Sequence, residues 1–471
     1  MILLIFLFAP FIILNIIAFL SFKFFKRAGE EKKTAFIPGY NLYVWLGIIE
    51  KPKWWLALLF IPILNFLMIF GFLVEMQKAF GKDKWYEMVA GVFLFPFYLP
   101  FLNFTTTPKF IGPSSKTTRQ KSATREWVEA LLFAVVAATI IRTFFVEAYT
   151  IPTSSMEKTL LVGDFLFVSK MHYGPRIPMT PLSFPFAHHT MPLIGGKSYL
   201  EWIKLPYSRL PGFQDIKRED IVVFNYPSED FRPVDKRENY IKRCVAIPGD
   251  VFEIRDGRIY VNNEASEHYE TIQYSYVVQT TGSPINSRIL MSLDITEGGA
   301  TGKSGFYTYF MTDEAAAKIE SQQNVLSVRR IIRDPEITPE SVFPADVKNF
   351  AFNIDNYGPI VIPQQGETVE INRDNIAKYE RLIRVYEGNE IEVRQDGIYI
   401  NDVKADTYTF EMDYYFMIGD NRHNSADSRM WGFVPHDHIV GKAWIVWLSL
   451  DPNRSFLQKI RWGRLFTPIH G

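Results

Sequence analysis

The sequence predicts a mainly β domain that carries an inserted subdomain and is preceded by about four transmembrane α-helices. Three observations predict this. Long apolar runs are concentrated in residues 1–147 of the 471-residue chain. The remainder holds short runs rich in Val, Ile, Tyr and Phe, separated by Pro-Gly-Asp, Asp-Gly and Asn-Asp turn signals. Two of its segments, FEIRDGRIYVN at 252–262 and IEVRQDGIYIN at 391–401, are alike, and each reads as a hairpin turning at Asp-Gly. No longer repeat is visible, so a solenoid is not indicated.

Residues 2–22 carry no charge. At 1.5 Å per residue, roughly 20 residues cross a hydrocarbon core of ~30 Å. The run exceeds the ~7–15-residue apolar core of a cleaved signal peptide, and no basic residue precedes it. The charges follow instead, at Lys23, Lys26, Arg27, Lys32 and Lys33, so this span runs from outside to inside. Aromatic-rich Tyr40–Trp45 reads as interfacial. A second span is expected at 54–74, after Lys51 and Lys53. A third, at 86–104, is interrupted by Pro96 and Pro100, and a re-entrant segment is its alternative. A fourth, at 127–146, follows Lys109, Lys116, Arg119, Lys121 and Arg125, with Glu129 and Arg142 near its ends. This arrangement puts the two loops richest in Lys and Arg inside and delivers residues 148–471 to the outer face.

Within 148–471, strands are expected at Ile221–Tyr226, Tyr240–Ile247, Phe252–Ile254, Ile259–Val261, Ile391–Val393, Ile398–Ile400 and Ala443–Leu450. The β domain is assigned to 148–264 and 376–471, with 265–375 as an insertion between the two hairpins. The insertion holds one expected helix near Asp313–Gln322 and a turn-rich piece at Asn356–Pro359. The basic, aromatic stretch 458–464 (QKIRWGR) reads either as a membrane contact or as a solvated tail.

Composition removes several function classes. With 51 basic and 51 acidic side chains the net charge is zero, which argues against nucleic-acid binding. The single cysteine, Cys244, excludes an intrachain disulfide. No C-x-x-C or H-E-x-x-H spacing is present, so no zinc site is expected.

Two stretches carry chemistry. Thr153-Ser154-Ser155 places three neighbouring hydroxyls just after the fourth apolar run. A serine is a poor nucleophile until a base takes its proton. His188, His189, His423, His436 and His438 are candidate bases, though all lie in loops that read as structural or surface positions. Lys242 sits in an otherwise apolar strand, where alternation puts it on one face with Cys244 and Ala246, and Arg243 on the other with Ile241. A lysine half-neutral near pH 7.5 needs roughly 4 kcal/mol of differential stabilisation, which burial can supply. The pattern alone favours a strand-edge lysine paired with a carboxylate.

A third stretch, GDNRHNSADSRMWGFVP at 419–435, joins these two, together with REDIVVF at 218–224 and LVGD at 161–164. In this order the motifs resemble the bacterial type I signal peptidase family, membrane-bound serine proteases that remove signal peptides from exported proteins. The resemblance covers about 145–255 and 385–450. It implies a signal-peptidase-type β fold, Ser155 as nucleophile and Lys242 as general base. It implies Thr153 and the Ser155 N–H as oxyanion donors, and Ser425 as a hydrogen-bonding support of the lysine. Asp427 and Arg429 fall where the family has a structural ion pair. Tyr149, Ile151, Pro152, Met156, Leu160, Tyr240 and Ile241 fall where it lines shallow substrate pockets for small residues, usually alanine, at P1 and P3. It further implies preproteins emerging from the export machinery as substrates, membrane lipid as surroundings, no cofactor or metal, and residence in the bacterial cytoplasmic (inner) membrane with the catalytic domain on the periplasmic face.

The chain departs from the common pattern in its extra spans, in the 265–375 insertion, in Lys158 where a proline is frequent, and in Thr153 where serine is less bulky. A non-enzymatic membrane-anchored β protein that binds partners, or a specialised Ser-Lys peptidase with few substrates, are the competing readings.

Overall fold

The computed structural model describes residues 2–60, 64–94, 97–106, 108–112, 135–192, 194–452, 454–455 and 458–470. The chain divides into two compact units, Met1–Ile141 and Arg142–Gly471.

The first unit is helical: α1 (Ile2–Leu20), α2 (Phe22–Arg27), α3 (Tyr40–Ile48), α4 (Trp55–Leu58), α5 (Leu64–Ala79), α6 (Trp85–Phe93) and α7 (Tyr98–Thr105). Leu14 and Ile17 of α1, Leu42 and Trp45 of α3, and Phe72 and Met76 of α5 share one buried cluster. Among the described residues, no helix is long and apolar enough to cross a membrane. The expected span 2–22 falls on α1, with Pro10 inside it, and on the start of α2. Span 54–74 falls on α4 and α5, and span 86–104 on the two short helices α6 and α7. Tyr40–Trp45 lies within α3, where Leu42 and Trp45 are buried while Tyr40 and Tyr43 are exposed. Of span 127–146, residues 127–134 lie outside the described residues. Residues 135–144 are helical (α8), and the chain has entered a strand by Val146, an end-point difference ordinary for helix boundaries.

The second unit is built on an antiparallel sheet in the order β1-β2-β20-β3-β4-β18-β19, with β21 (Thr467–Pro468) against β20. Its strands are β1 (Val146–Thr150), β2 (Asp164–Ser169), β3 (Ile221–Asn225), β4 (Asn239–Ala246), β18 (Tyr414–Ile418), β19 (Val434–Pro435) and β20 (Ile439–Ser449). β3 explains itself from its sequence. Ile221 and Val223 enter one buried cluster with Met156, Leu160 and Leu166, while Val222 and Phe224 enter another with Cys244 and Met417. Both faces are covered, so the strand reads as an unbroken apolar run rather than an alternation. β4 departs from the expected alternation. Its register against β18 shifts between the Ala246–Phe416 and Cys244–Met417 pairs. Cys244 therefore packs in one cluster and Ala246 in a different one, with Phe252 and Tyr414; a bulge re-aims the side chains that follow it.

The two similar segments are both hairpins and feed the same core: β5 (Val251–Arg255) with β6 (Arg258–Val261), and β14 (Ile391–Arg394) with β15 (Gly397–Ile400). The first turns at Asp256–Gly257, both at positive φ as a type I′ turn requires. The second turns one residue earlier than expected, at Gln395–Asp396, because Gly397 is already in register with Arg394.

Between the hairpins, β8 (Tyr274–Thr280), β9 (Gly298–Ala300), β10 (Phe306–Met311) and β11 (Val325–Arg330) form a sheet in the order β11-β8-β10-β9. It is accompanied by α9 (Ser287–Ser292) and α10 (Asp313–Glu320), and it has its own buried cluster around Tyr276, Val278 and Ile319. The turn-rich piece at 356–359 is in fact largely strand. β12 (Tyr357–Val361) pairs with β5, and its Gly358-Pro359 sits in a register shift between Tyr357 and Ile360. Proline in a sheet is tolerated at such a bulge on an edge strand, which β12 is.

Candidate active site

The loop that carries Thr153, Ser154 and Ser155 is closed at its base before any chemistry is added. Beyond β1, the Ile151 N–H donates to Asp164 O (2.8 Å) and the Gly163 N–H to Ile151 O (2.9 Å). Gly163 lies at φ +90°, and a Cβ there would fall 2.0 Å from Leu450 O, so only glycine closes this loop. The Asp164 carboxylate accepts the Leu161 N–H (2.8 Å) and is paired with Arg464. Arg464 also donates to Thr159 O (3.1 Å), and Arg461 donates to Val162 O (3.0 Å). The basic C-terminal stretch thus turns two of its arginines onto the loop that carries Ser155, while Trp462 between them stays exposed.

At the tip, Ser154–Met156 forms one 3₁₀ turn. The turn sends Met156 inward, and Met156 and Leu160 are fully buried beneath the loop. They support the loop and do not line the cleft, contrary to expectation. Thr153 is exposed at its rim.

β4 brings Lys242 to this turn. Its Nζ lies 2.7 Å from Ser155 Oγ and donates to Ile241 O at 2.9 Å. The side chain is 3% exposed. Burial pulls its pKa down from 10.5 to about 8; the negative charges of Asp427 and Asp420 push back only in part, and Arg429 adds to the depression. A lysine with that pKa is substantially neutral at mildly alkaline pH, and its lone pair then faces the serine hydroxyl.

The loop that follows β18 walls the other side. Gly419 packs so closely that a Cβ would meet Ser425 Oγ at 2.2 Å and Ser155 O at 2.5 Å. The Asn421 N–H donates to Ser155 O (3.1 Å), and the Asn421 side-chain amide donates to Ser154 O (3.2 Å). Asp427 and Arg429 meet in a fully buried pair with two contacts, Nε–Oδ1 at 2.8 Å and Nη2–Oδ2 at 2.7 Å. Burial raises the Asp427 pKa, but the Arg429 charge and hydrogen bond outweigh it and hold the carboxyl below its ordinary value. Ser425 faces this carboxylate and Ala426 O (3.4 Å). Among the described residues the Lys242 amine bonds Ser155 and Ile241, and Ser425 bonds Asp427 rather than the lysine expected for it.

These elements enclose a cleft of about 440 Å³ lined by Tyr149 to Ser155, Glu238 to Lys242, Val223, Asn424 and Ala426. Of the expected pocket residues, Tyr149, Ile151, Pro152, Tyr240 and Ile241 line it. No histidine does, among the described residues. His423 has both ring nitrogens engaged, Nε2 with Asp355 (2.7 Å) and Nδ1 accepting the Ser275 N–H (3.0 Å). His436 is held by Tyr415, and burial drives its pKa down to about 4. His438 bonds Asp437 and Arg237, His188 bonds Arg237 O, and His189 bonds Thr190 and Glu238. A serine–histidine pair is therefore not assembled.

Three contributors escaped the sequence. Arg243, next to the lysine, is buried in a two-contact pair with Asp420 (2.9 and 2.7 Å). Arg464 closes the loop that carries Ser155 from some 300 residues away. Glu297, from the inserted sheet, reaches the Ser154 hydroxyl. A contact between distant positions leaves no local periodicity to detect, so none had a signal in a single sequence.

The family described as signal peptidase, peptidase S26, matches residues 124–330 and 361–448. A family of unknown function matches residues 33–113. Signal peptidase I of Buchnera aphidicola from Acyrthosiphon pisum is 25% identical over 383 residues, covering 78% of this chain and 91% of the relative. The signal peptidase I of Helicobacter pylori strain 26695 is 26% identical over 358 residues, or 72% and 90%. That of Pseudomonas aeruginosa is 26% identical over 339 residues, or 69% and 72%.

Proposed function

The chain belongs to the signal peptidase family, peptidase S26, and on that premise we propose that Ser155 and Lys242 form the serine–lysine dyad of a signal peptidase I. The activity is that of a serine endopeptidase that removes signal peptides from exported preproteins. The observation that carries the dyad is the 2.7 Å approach of a buried, pKa-depressed amine to a serine hydroxyl.

Neutral Lys242 takes the Ser155 proton as Oγ attacks the carbonyl after a small P1 residue. The Thr153 hydroxyl and the Ser155 N–H hold the oxyanion, where donors aimed at developing charge contribute most. The lysine ammonium then gives its proton to the leaving amine, and water resolves the acyl-enzyme. The substrate lies as an added strand along 149–153; β1 is the terminal strand of the main sheet, which leaves an edge for this. The Asp427–Arg429 pair and Ser425 hold the wall behind the lysine.

The same proposal places the enzyme in the bacterial cytoplasmic membrane, multi-pass, with residues 148–471 on the periplasmic face. Its support is the apolar runs and the Lys/Arg bias of the intervening loops. Residues 265–375 are proposed as an insertion within the catalytic domain, supported by the separate sheet and core of β8–β11.

The test is cleavage of a preprotein by the detergent-solubilised chain. Ser155→Ala and Lys242→Ala are each expected to lose cleavage while keeping the wild-type melting profile. Cleavage at the wild-type rate by either variant would remove the dyad.

A further inference from the structure

The insertion touches the loop that carries Ser155 at several points, one of them the Thr159 hydroxyl on the Thr271 hydroxyl (2.9 Å). Lys158, at φ +72°, donates to Asp294 O (2.6 Å) just after α9. Three residues on, the Glu297 carboxylate accepts from three groups around the nucleophile: the Ser154 hydroxyl, the Asn421 amide (3.0 Å) and the Asn424 amide (2.9 Å). Glu297 is itself fixed. Its carbonyl accepts the Phe310 N–H (3.2 Å), and Gly298 next to it pairs with Tyr309 across β9–β10.

This network bears on one peptide unit. The Ser154 carbonyl is held by the Asn421 amide and the Ser155 carbonyl by the Asn421 N–H. A peptide group is planar and trans, so holding the Ser154 C=O directs the Ser155 N–H the opposite way. That N–H is the backbone oxyanion donor in the function proposed above, on which this inference rests. The Asn421 amide nitrogen serves both Ser154 O and Glu297 Oε2, and two acceptors on one side fix which way the amide faces. Glu297 also grips the side chain of Ser154 directly.

We propose that Glu297, supplied by the inserted sheet, is a positioning residue that sets the Ser154–Ser155 peptide and thereby aims the oxyanion donor. The insertion thus completes the active site of this chain. The carboxylate is suited to the role because it only accepts, and all three neighbours donate. A glutamine in its place would turn an NH₂ toward at least one donor.

The experiment compares Glu297→Gln with wild type in the full-length, detergent-solubilised chain, using a preprotein substrate and two probes. One probe is a peptide boronate that forms a tetrahedral adduct with the serine; the other is the corresponding product peptide. The expected result is a fall in kcat of roughly 10- to 100-fold, a fraction of the effect of deleting an oxyanion donor outright. KM changes little. Boronate affinity falls in proportion to kcat, and product-peptide affinity is unchanged. Ser154→Gly, which removes one ligand of the carboxylate, shows the same split at smaller size and carries the test if the glutamine variant does not accumulate. An unchanged kcat overturns the proposal. So does a fall in kcat matched by loss of product-peptide affinity and a lowered melting temperature, which marks a merely structural contact. If Ser155→Ala still cleaves, the dyad reading fails instead, whatever Glu297→Gln does.

Discussion

Lys242 on β4 is compared most usefully with the two arginines beside it, Arg243 on the same strand and Arg429 in the loop after β18. All three are buried, at 3%, 1% and 2% exposure. Burial works against the charge of each. Arg243 meets Asp420 through two hydrogen bonds and Arg429 meets Asp427 through two, and these carboxylates more than offset the burial, so both guanidinium pKa values end above their ordinary range. Among the described residues Lys242 bonds a hydroxyl and a carbonyl and lies over the Tyr240 ring, with no carboxylate hydrogen-bonded to it, and its pKa ends at about 8. The guanidinium groups are permanent cations by their own chemistry, and their carboxylates make that charge tolerable in the interior; the amine, with no carboxylate bonded to it, is the group of the three that burial can bring into a titrating range.

The largest effect that could break this comparison is on rate. Lys242→Arg keeps a cation on β4 but removes a base, because arginine does not deprotonate in proteins. Cleavage is expected to fall by about four orders of magnitude or more, as on loss of the base in other serine hydrolases. Retained cleavage in a preprotein assay would mean that a neutral amine is not required.

The next effect is on stability. Asp427→Ala leaves Arg429 buried and unpaired, which costs about 3–5 kcal/mol. Thermal or denaturant melting reads it. The pair also carries a pH signature. The folded Asp427 pKa lies below its unfolded value, so its contribution is present above about pH 4 and is lost as pH falls through the folded pKa. Asp427→Asn should lack that acid-side loss; if it melts like wild type across the acid range, the pair is not a scaffold element.

The smallest effect has the opposite sign. The folded Lys242 pKa, about 8, lies below its unfolded value near 10.5, so the protonated form is disfavoured by folding. Stability should therefore rise as pH goes from about 8 to 10.5. Lys242→Met, which removes the buried charge, should be more stable than wild type at pH 7 by up to about 3 kcal/mol, with the gap closing over that window. A Met variant that melts lower than wild type at pH 7 would show that the lysine is a stabilising residue like its arginine neighbours.

The elements of this comparison were unequally legible in the sequence. Strands β3 to β6, β14, β15 and β20 were readable because local alternation, turn dipeptides and apolar runs encode them directly. Ser155 and Lys242 were singled out through motif resemblance; the residues alone had left histidine bases open, and only the fold shows His423 with both nitrogens occupied. The partners that decide the chemistry were not readable. Asp420 is 177 positions from Arg243, and Glu297 is 143 from Ser154. Such pairings depend on sheet order and on one bulge in β4. Strand β12 was hidden for a local reason, since Asn-Tyr-Gly-Pro has turn chemistry, yet here it sits in an edge-strand bulge.

The most direct test of the account is the ionisation of Lys242 itself. ¹³C-labelled lysine is introduced into the solubilised chain, and the Cε resonances are followed by NMR from pH 6 to 12, with the Lys242 signal assigned by its absence in Lys242→Arg. The Lys242 resonance is expected to titrate near 8. A Lys242 resonance titrating with the bulk of the lysines, at about 10.4, would contradict it.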